Sequence, residues 1–125
     1  MQLGDIFYWE TDKAVGHDLR NKYHIYICED DWQAGNTFLF INKNGYDCDF
    51  PITNVDYPFL TRPTSYICCS SLIFYTDPQL AAFSDKPVGR LSTAHLQALF
   101  HKIQRDGAMV RWEQGRVCNA LKAAL

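Results

Sequence analysis

The sequence predicts a mainly β domain closed by C-terminal helices, an α+β arrangement in which strands come first and helices last. Three observations predict it. Short aromatic and β-branched runs recur between turn signals over the first three-quarters of the chain. Helical periodicity begins only after Pro87. The 125 residues are 47% hydrophobic and 14% aromatic, which is enough apolar material for one core and argues against disorder. A chain of this size buries roughly two-thirds of its unfolded surface and needs no staple.

Asp5-Ile6-Phe7-Tyr8-Trp9 reads as the first strand, and Thr11 to Asn21, polar and without either period, as a loop. Tyr23 to Cys28 is the second strand. Glu29-Asp30-Asp31 reads as a solvated acidic turn, completed by Ala34-Gly35-Asn36. Thr37 to Ile41 has little polar alternation and reads as a strand buried on both faces. Asn42-Lys43-Asn44-Gly45 carries a tight-hairpin signal, with Tyr46 to Ile52 as the return strand and Pro51 placing it at an edge. Asn54 to Thr64 reads as a loop, and Ser65 to Tyr75 as one long strand or two short ones. Strands of this length and spacing point to a barrel or a sandwich.

Ser92 is a helix N-cap, followed by a face of Leu96, Leu99, Phe100 and Ile103 and a stop at Asp106-Gly107. Ala108 to Ala124 reads as a second, weaker helix with Val110, Val117, Leu121 and Ala124 on one face and Gly115 interrupting it. The chain is thus expected to be a single domain over 1–125, with a barrel over about residues 1–88 and a helical tail over about 91–124.

The formal net charge of −2 gives no overall basic footprint for nucleic acid, although a local basic groove is compatible with it. No apolar run is long enough to span a membrane, and Met1 to Asp5 has no signal-like character, so the expected compartment is the cytoplasm. The five cysteines lack metal-ligand spacing and read as small apolar residues in a reducing compartment. No metal and no other cofactor is expected.

The segment Val15 to Lys22 concentrates chemistry in a loop between two strands. His17 suits proton transfer near neutral pH. Arg20 suits a two-pronged bond to phosphate, and Lys22 adds positive charge. These are the base and the cation that RNA cleavage by a neighbouring 2'-hydroxyl requires. A solvated turn is the other reading of Gly16-His17-Asp18. Asp47 and Asp49 share a strand face but lack further ligands, and His95 and His101 do not share a helical face. The aromatic residues Phe7, Tyr8, Trp9, Tyr23, Tyr26, Phe38 and Phe40 read mainly as core, with base stacking as the alternative.

Gly4-Asp5-Ile6 followed by Val15-Gly16-His17-Asp18-Leu19-Arg20 resembles the opening of the PemK/MazF family of toxins, in which a Gly-Asp/Glu-Ile strand precedes a Gly-(His/Ser)-Glu-Gln-(Arg/Gln) loop and an apolar strand. Ser65 to Phe74 resembles that family's later strand, and Gly89-Arg90-Leu91-Ser92 to Ile103 its closing helix. The match covers most of the first 105 residues, and the first loop is its specific part. The resemblance implies an SH3-like barrel, usually dimeric. It also implies metal-independent cleavage of single-stranded RNA and a cognate antitoxin that blocks the site.

The chain departs from the family pattern at three places. Tyr23 or His24 replaces the proline that opens the second strand, and Asn42-Lys43 replaces a Thr-Ser pair. Cys68 and Ser70-Ser71 stand where the family carries a basic residue and an acid before Gln. The resulting expectation is a toxin-like endoribonuclease with His17 as base, Arg20 on the phosphate and Lys43 as substitute cation. Lys22, Asn42 and Ser70 are expected to contact substrate. The alternative is a degenerate barrel that binds protein or RNA without cutting.

Overall fold

In the computed structural model, which describes residues 1–14, 18–30 and 35–124, the opening aromatic run forms β1 (Asp5–Thr11). It pairs antiparallel with β2 (Arg20–Asp30), with Tyr8 opposite Tyr23 and Thr11 opposite Arg20. β3 (Gly35–Asn42) pairs with the other side of β2 through a bulge between Tyr26 and Cys28. β4 (Phe50–Thr53) and β5 (Thr64–Ile67) form a second hairpin, and β5 joins the far end of β3. β6 (Ile73–Thr76) pairs with the near end of β3, and the two-residue β7 (Gly89–Arg90) pairs with β1. The strand order is β4-β5-β3-β2-β1-β7 with β6 also on β3, giving a curled antiparallel half-barrel.

Both faces of this sheet are covered. Side chains alternate across a strand, so Ile6, Ile25, Leu39 and Ile41 enter one core while Phe7, Tyr26 and Phe38 enter another. The first core is closed by α2 (Thr93–Asp106) and α3 (Arg111–Ala123), which contribute Leu96, Leu99, Ile103, Val117 and Leu121. Each fully buried side chain of this kind contributes roughly 1.5–3 kcal/mol. The second core is aromatic, with Trp9 stacked on Phe83 at 4.7 Å and its indole N–H donating to the Ser84 carbonyl at 2.8 Å. The short α1 (Asp77–Leu80) covers this side, started by Thr76 and Gln79, whose side chains each bond the other's backbone N–H.

The helices obey their sequence signals. The Ser92 hydroxyl accepts the His95 N–H, and Gly107 takes the left-handed conformation at φ 59° that ends α2. The Asp30 carboxylate, almost wholly buried, pairs with Arg116 at 2.9 Å and so ties α3 to the end of β2. Asp5 holds the start of the chain. Its carboxylate accepts the Gln2 N–H and the Arg90 Nε–H, both at 2.8 Å.

Several expectations are corrected. β2 begins at Arg20, so Arg20 and Lys22 lie on a strand rather than in a loop, because the β1–β2 ladder runs out to Thr11. Glu29 and Asp30 belong to β2 and not to a solvated turn, since Arg116 compensates the buried Asp30 charge. Gly35 and Asn36 belong to β3. A Cβ on Gly35 would stand 2.5 Å from the Phe74 ring and the Tyr75 carbonyl, so the crossing of β3 and β6 requires glycine there. Asn44-Gly45 makes no hairpin with β3, because β4 pairs with β5 instead, although Pro51 does sit on the edge strand. The buried Asp49 directs this path, accepting the Tyr46 N–H at 3.0 Å and the Cys69 N–H at 2.9 Å. Ser65 to Tyr75 is two short strands. Val110 and Ala124 are exposed rather than on the buried face of α3.

Two stability predictions follow from this packing. His24 is fully buried, its Nδ1–H donating to the Lys22 carbonyl at 2.9 Å while Nε2 accepts from the Tyr75 hydroxyl at 3.0 Å. Tyr75 oxygen in turn accepts from Thr11 at 2.6 Å. Burial pushes His24 down to about 4. The unfolded chain therefore binds this proton and the folded chain does not between pH 6.5 and 4. Stability is full above that window and falls as pH drops through it, by about 2 kcal/mol between pH 7 and 5. Urea unfolding at the two pH values, with His24→Gln as control, checks this. In α3, a Cβ on Gly115 would meet nothing within 4 Å. Gly115→Ala should raise stability by about 0.5–1 kcal/mol, read as a higher melting temperature.

Candidate functional site, a cationic and aromatic cleft

A cleft of about 130 Å³ opens at the junction of β1, β2, the end of β3 and the loop between β4 and β5. Tyr8 and Tyr23 face each other across the β1–β2 ladder with ring centres 4.4 Å apart. Tyr23 is anchored from below by its hydroxyl, which donates to the Phe59 carbonyl at 3.1 Å, and burial raises its pKa. Tyr8 is 48% exposed, so its side chain is accessible from solvent at the mouth of the cleft. The apolar floor comes from Ile41 and Leu60.

The polar wall is cationic. Lys22, Lys43 and Arg62 all line the cleft, and no carboxylate or imidazole of the described residues does. Lys22 is half-buried, donates to the Asn42 side-chain oxygen and lies 5.4 Å from the centre of the Phe40 ring. Burial lowers its pKa most and the charge of Arg20 lowers it next, while Cys68 opposes them and Lys43 adds a smaller lowering. A chain of net charge −2 thus gathers three cations around one opening.

The sequence-expected residues divide into those the fold brings together and those it does not. Lys22, Asn42 and Lys43 share the cleft. Arg20 sits at the start of β2, outside the cleft wall, exposed and 3.6 Å from Asp18, yet near enough for its charge to act on Lys22. Ser70 lies on the exposed connection between β5 and β6, with its hydroxyl 3.2 Å from the Cys68 sulfur, and does not line the cleft. His17 lies outside the described residues.

Sequence reasoning missed Arg62 and Thr61, and it gave Tyr8 to the core. For Arg62 the available signal was a basic residue between a threonine and Pro63 in a long loop. For Tyr8 it was strand alternation, since the buried Phe7 and Trp9 flank it.

All five cysteines are free, and Cys69 is buried with its thiol pushed up to about 12 by that burial and by Asp49. Among the described residues, no group of three His, Cys, Asp or Glu could hold a metal ion, and no helix is long and apolar enough to cross a membrane. No protein-family model matches the chain, and no curated protein matches it in sequence.

Because Lys43 and Arg62 are exposed, Lys43→Ala and Arg62→Ala should leave stability within about 0.5 kcal/mol of wild type in urea.

Proposed function

We propose that this protein acts on single-stranded RNA as a toxin-type endoribonuclease that needs no metal. The observation that supports this best is the convergence of Lys22, Lys43 and Arg62 with the exposed Tyr8 ring on one cleft. Cations spaced along a groove hold successive phosphates, and an open aromatic face stacks a base without demanding its identity. A duplex buries its base faces, so the Tyr8 platform favours an unpaired strand. Cleavage then proceeds by attack of the 2'-hydroxyl on its own phosphate, with Lys43 and Arg62 stabilising the charge that develops on the phosphoryl oxygens. Arg20, just outside the cleft wall, serves the next phosphate. On this reading the resemblance to PemK/MazF toxins implies a cytoplasmic homodimer and a cognate antitoxin that covers the cleft.

A second reading is a barrel that binds RNA or protein without cutting. One observation favours it: Cys68 and Ser70, at the positions where the family pattern carries a basic residue and an acid, bond to each other outside the cleft.

One experiment separates the two. A labelled single-stranded RNA of mixed sequence is incubated with the protein in chelator, and both binding and products are read. The expected result is salt-sensitive binding with a log–log slope of about −2, as three phosphate contacts give. Products should end in 2',3'-cyclic phosphate and 5'-hydroxyl, and Tyr8→Ala should weaken binding by about 1–3 kcal/mol. Binding without products selects the second reading, and neither binding nor products rejects the RNA assignment.

A further inference from the structure

Attack by a 2'-hydroxyl needs a group with a free lone pair beside the phosphate. Among the described residues that line the cleft, the side chains able to take a proton are the Lys22 and Lys43 amines and the Tyr8 and Tyr23 phenols. Tyr23 is committed as a donor to Phe59 and its pKa is raised, which makes it a poor acceptor. Lys22 is placed differently from the other two cleft cations. It is half-buried on a strand, whereas Lys43 and Arg62 are exposed. Asn42 from the end of β3 takes one of its N–H groups, which fixes the direction of the amine and leaves its other positions for substrate.

The surroundings act on Lys22 from every side. Burial is the largest influence and opposes the charged form. Arg20 on its own strand and Lys43 beyond β3 act in the same sense, and Arg62 enters the same cleft from the loop between β4 and β5. Cys68 and the face of Phe40 act in the opposite sense. A lysine among cations in a half-buried site is the kind that deprotonates for base catalysis.

Resting on the ribonuclease reading of this cleft, we infer that the Lys22 amine is the catalytic proton acceptor, serving a single-stranded RNA seated along Tyr8, Lys43 and Arg62. The 2'-O–H bond breaks and its proton passes to the lone pair of Lys22 Nζ. The 2'-oxygen forms a bond to phosphorus, and the bond from phosphorus to the 5'-oxygen breaks with its electron pair leaving on that oxygen. The departing 5'-oxygen takes a proton from solvent water, and the hydroxide so formed returns Lys22 to the free amine. Lys22 thus replaces the acid that the family pattern would have carried near Ser70.

The test has two arms on the full chain. In the first, competitive acetylation read by mass spectrometry across pH gives the titration of Lys22 in the folded and the urea-unfolded protein. The expected midpoint in the folded protein is below that in the unfolded chain, in the direction that burial and the neighbouring cations impose. In the second, wild type and Lys22→Arg are compared on RNA, and on a 2'-deoxy version of the same oligonucleotide that binds but lacks the attacking hydroxyl. Wild-type cleavage should rise with pH and level off at the labelled midpoint. Lys22→Arg should bind the deoxy strand within about three-fold of wild type and cleave RNA at least about 100-fold more slowly, without that rising limb. A Lys22→Arg protein that cleaves like wild type, or a Lys22 that labels alike in the folded and unfolded chain, overturns the inference and leaves the ribonuclease reading standing. A wild type that binds RNA and never cleaves it overturns both.

Discussion

The structure depends on β3 being paired along its whole length and buried on both faces. Gly35 to Ile41 are all buried, and three other strands, β2, β5 and β6, hydrogen-bond to it. A strand so placed has no water to satisfy its amides and carbonyls, so every stretch of its edge must find a partner. Two short strands therefore share one edge. β5 takes Ile41 and Asn42, β6 takes Gly35 to Phe38, and the Cys68 N–H bonds the Phe40 carbonyl at 2.8 Å between them. The break at Cys68 to Leu72, the bare Gly35 and the detour of residues 43–49 are all consequences of serving β3 from two directions.

This explains which parts of the fold were legible. The apolar run Thr37 to Ile41 announced its double burial, and the helix signals at Ser92 and Gly107 act over a single turn, so both could be read locally. The path after Asn42 could not. Asn44-Gly45 is a genuine turn signal, but its outcome is decided by Asp49, whose carboxylate reaches Cys69 twenty residues away. The same holds for Glu29-Asp30, an acidic run that looks solvated until Arg116 is folded against it. Thr76 with Gln79 is a local capping signal that was open to reading and marks the short α1.

The candidate site was legible to a similar degree and for the same reason. Lys22, Asn42 and Lys43 are near β-strand ends that the apolar pattern defines, so their convergence follows from pairing of β2 with β3. Arg62 arrives from a loop whose course depends on buried Tyr57 and Leu60, and no local pattern places it. The Gly4-Asp5-Ile6 start has a scaffold explanation. Asp5 fastens the first residues to Arg90, and Ile6 fills the main core.

That fastening has a consequence for synthesis. Among the described residues, the start of the outer edge of β1 is covered by residues 88–91, through Val88 N–H to the Ile6 carbonyl at 2.7 Å, Leu91 N–H to the Gly4 carbonyl at 2.9 Å and the ion pair of Arg90 with Asp5. At ordinary elongation speeds those residues follow β1 by on the order of 5–15 s. Throughout that interval the emerging β1–β2 hairpin carries an apolar strand with an open edge, which is a template for pairing with other nascent chains. The arrival of residues 88–91 thus closes the Gly4–Ile6 stretch of that edge.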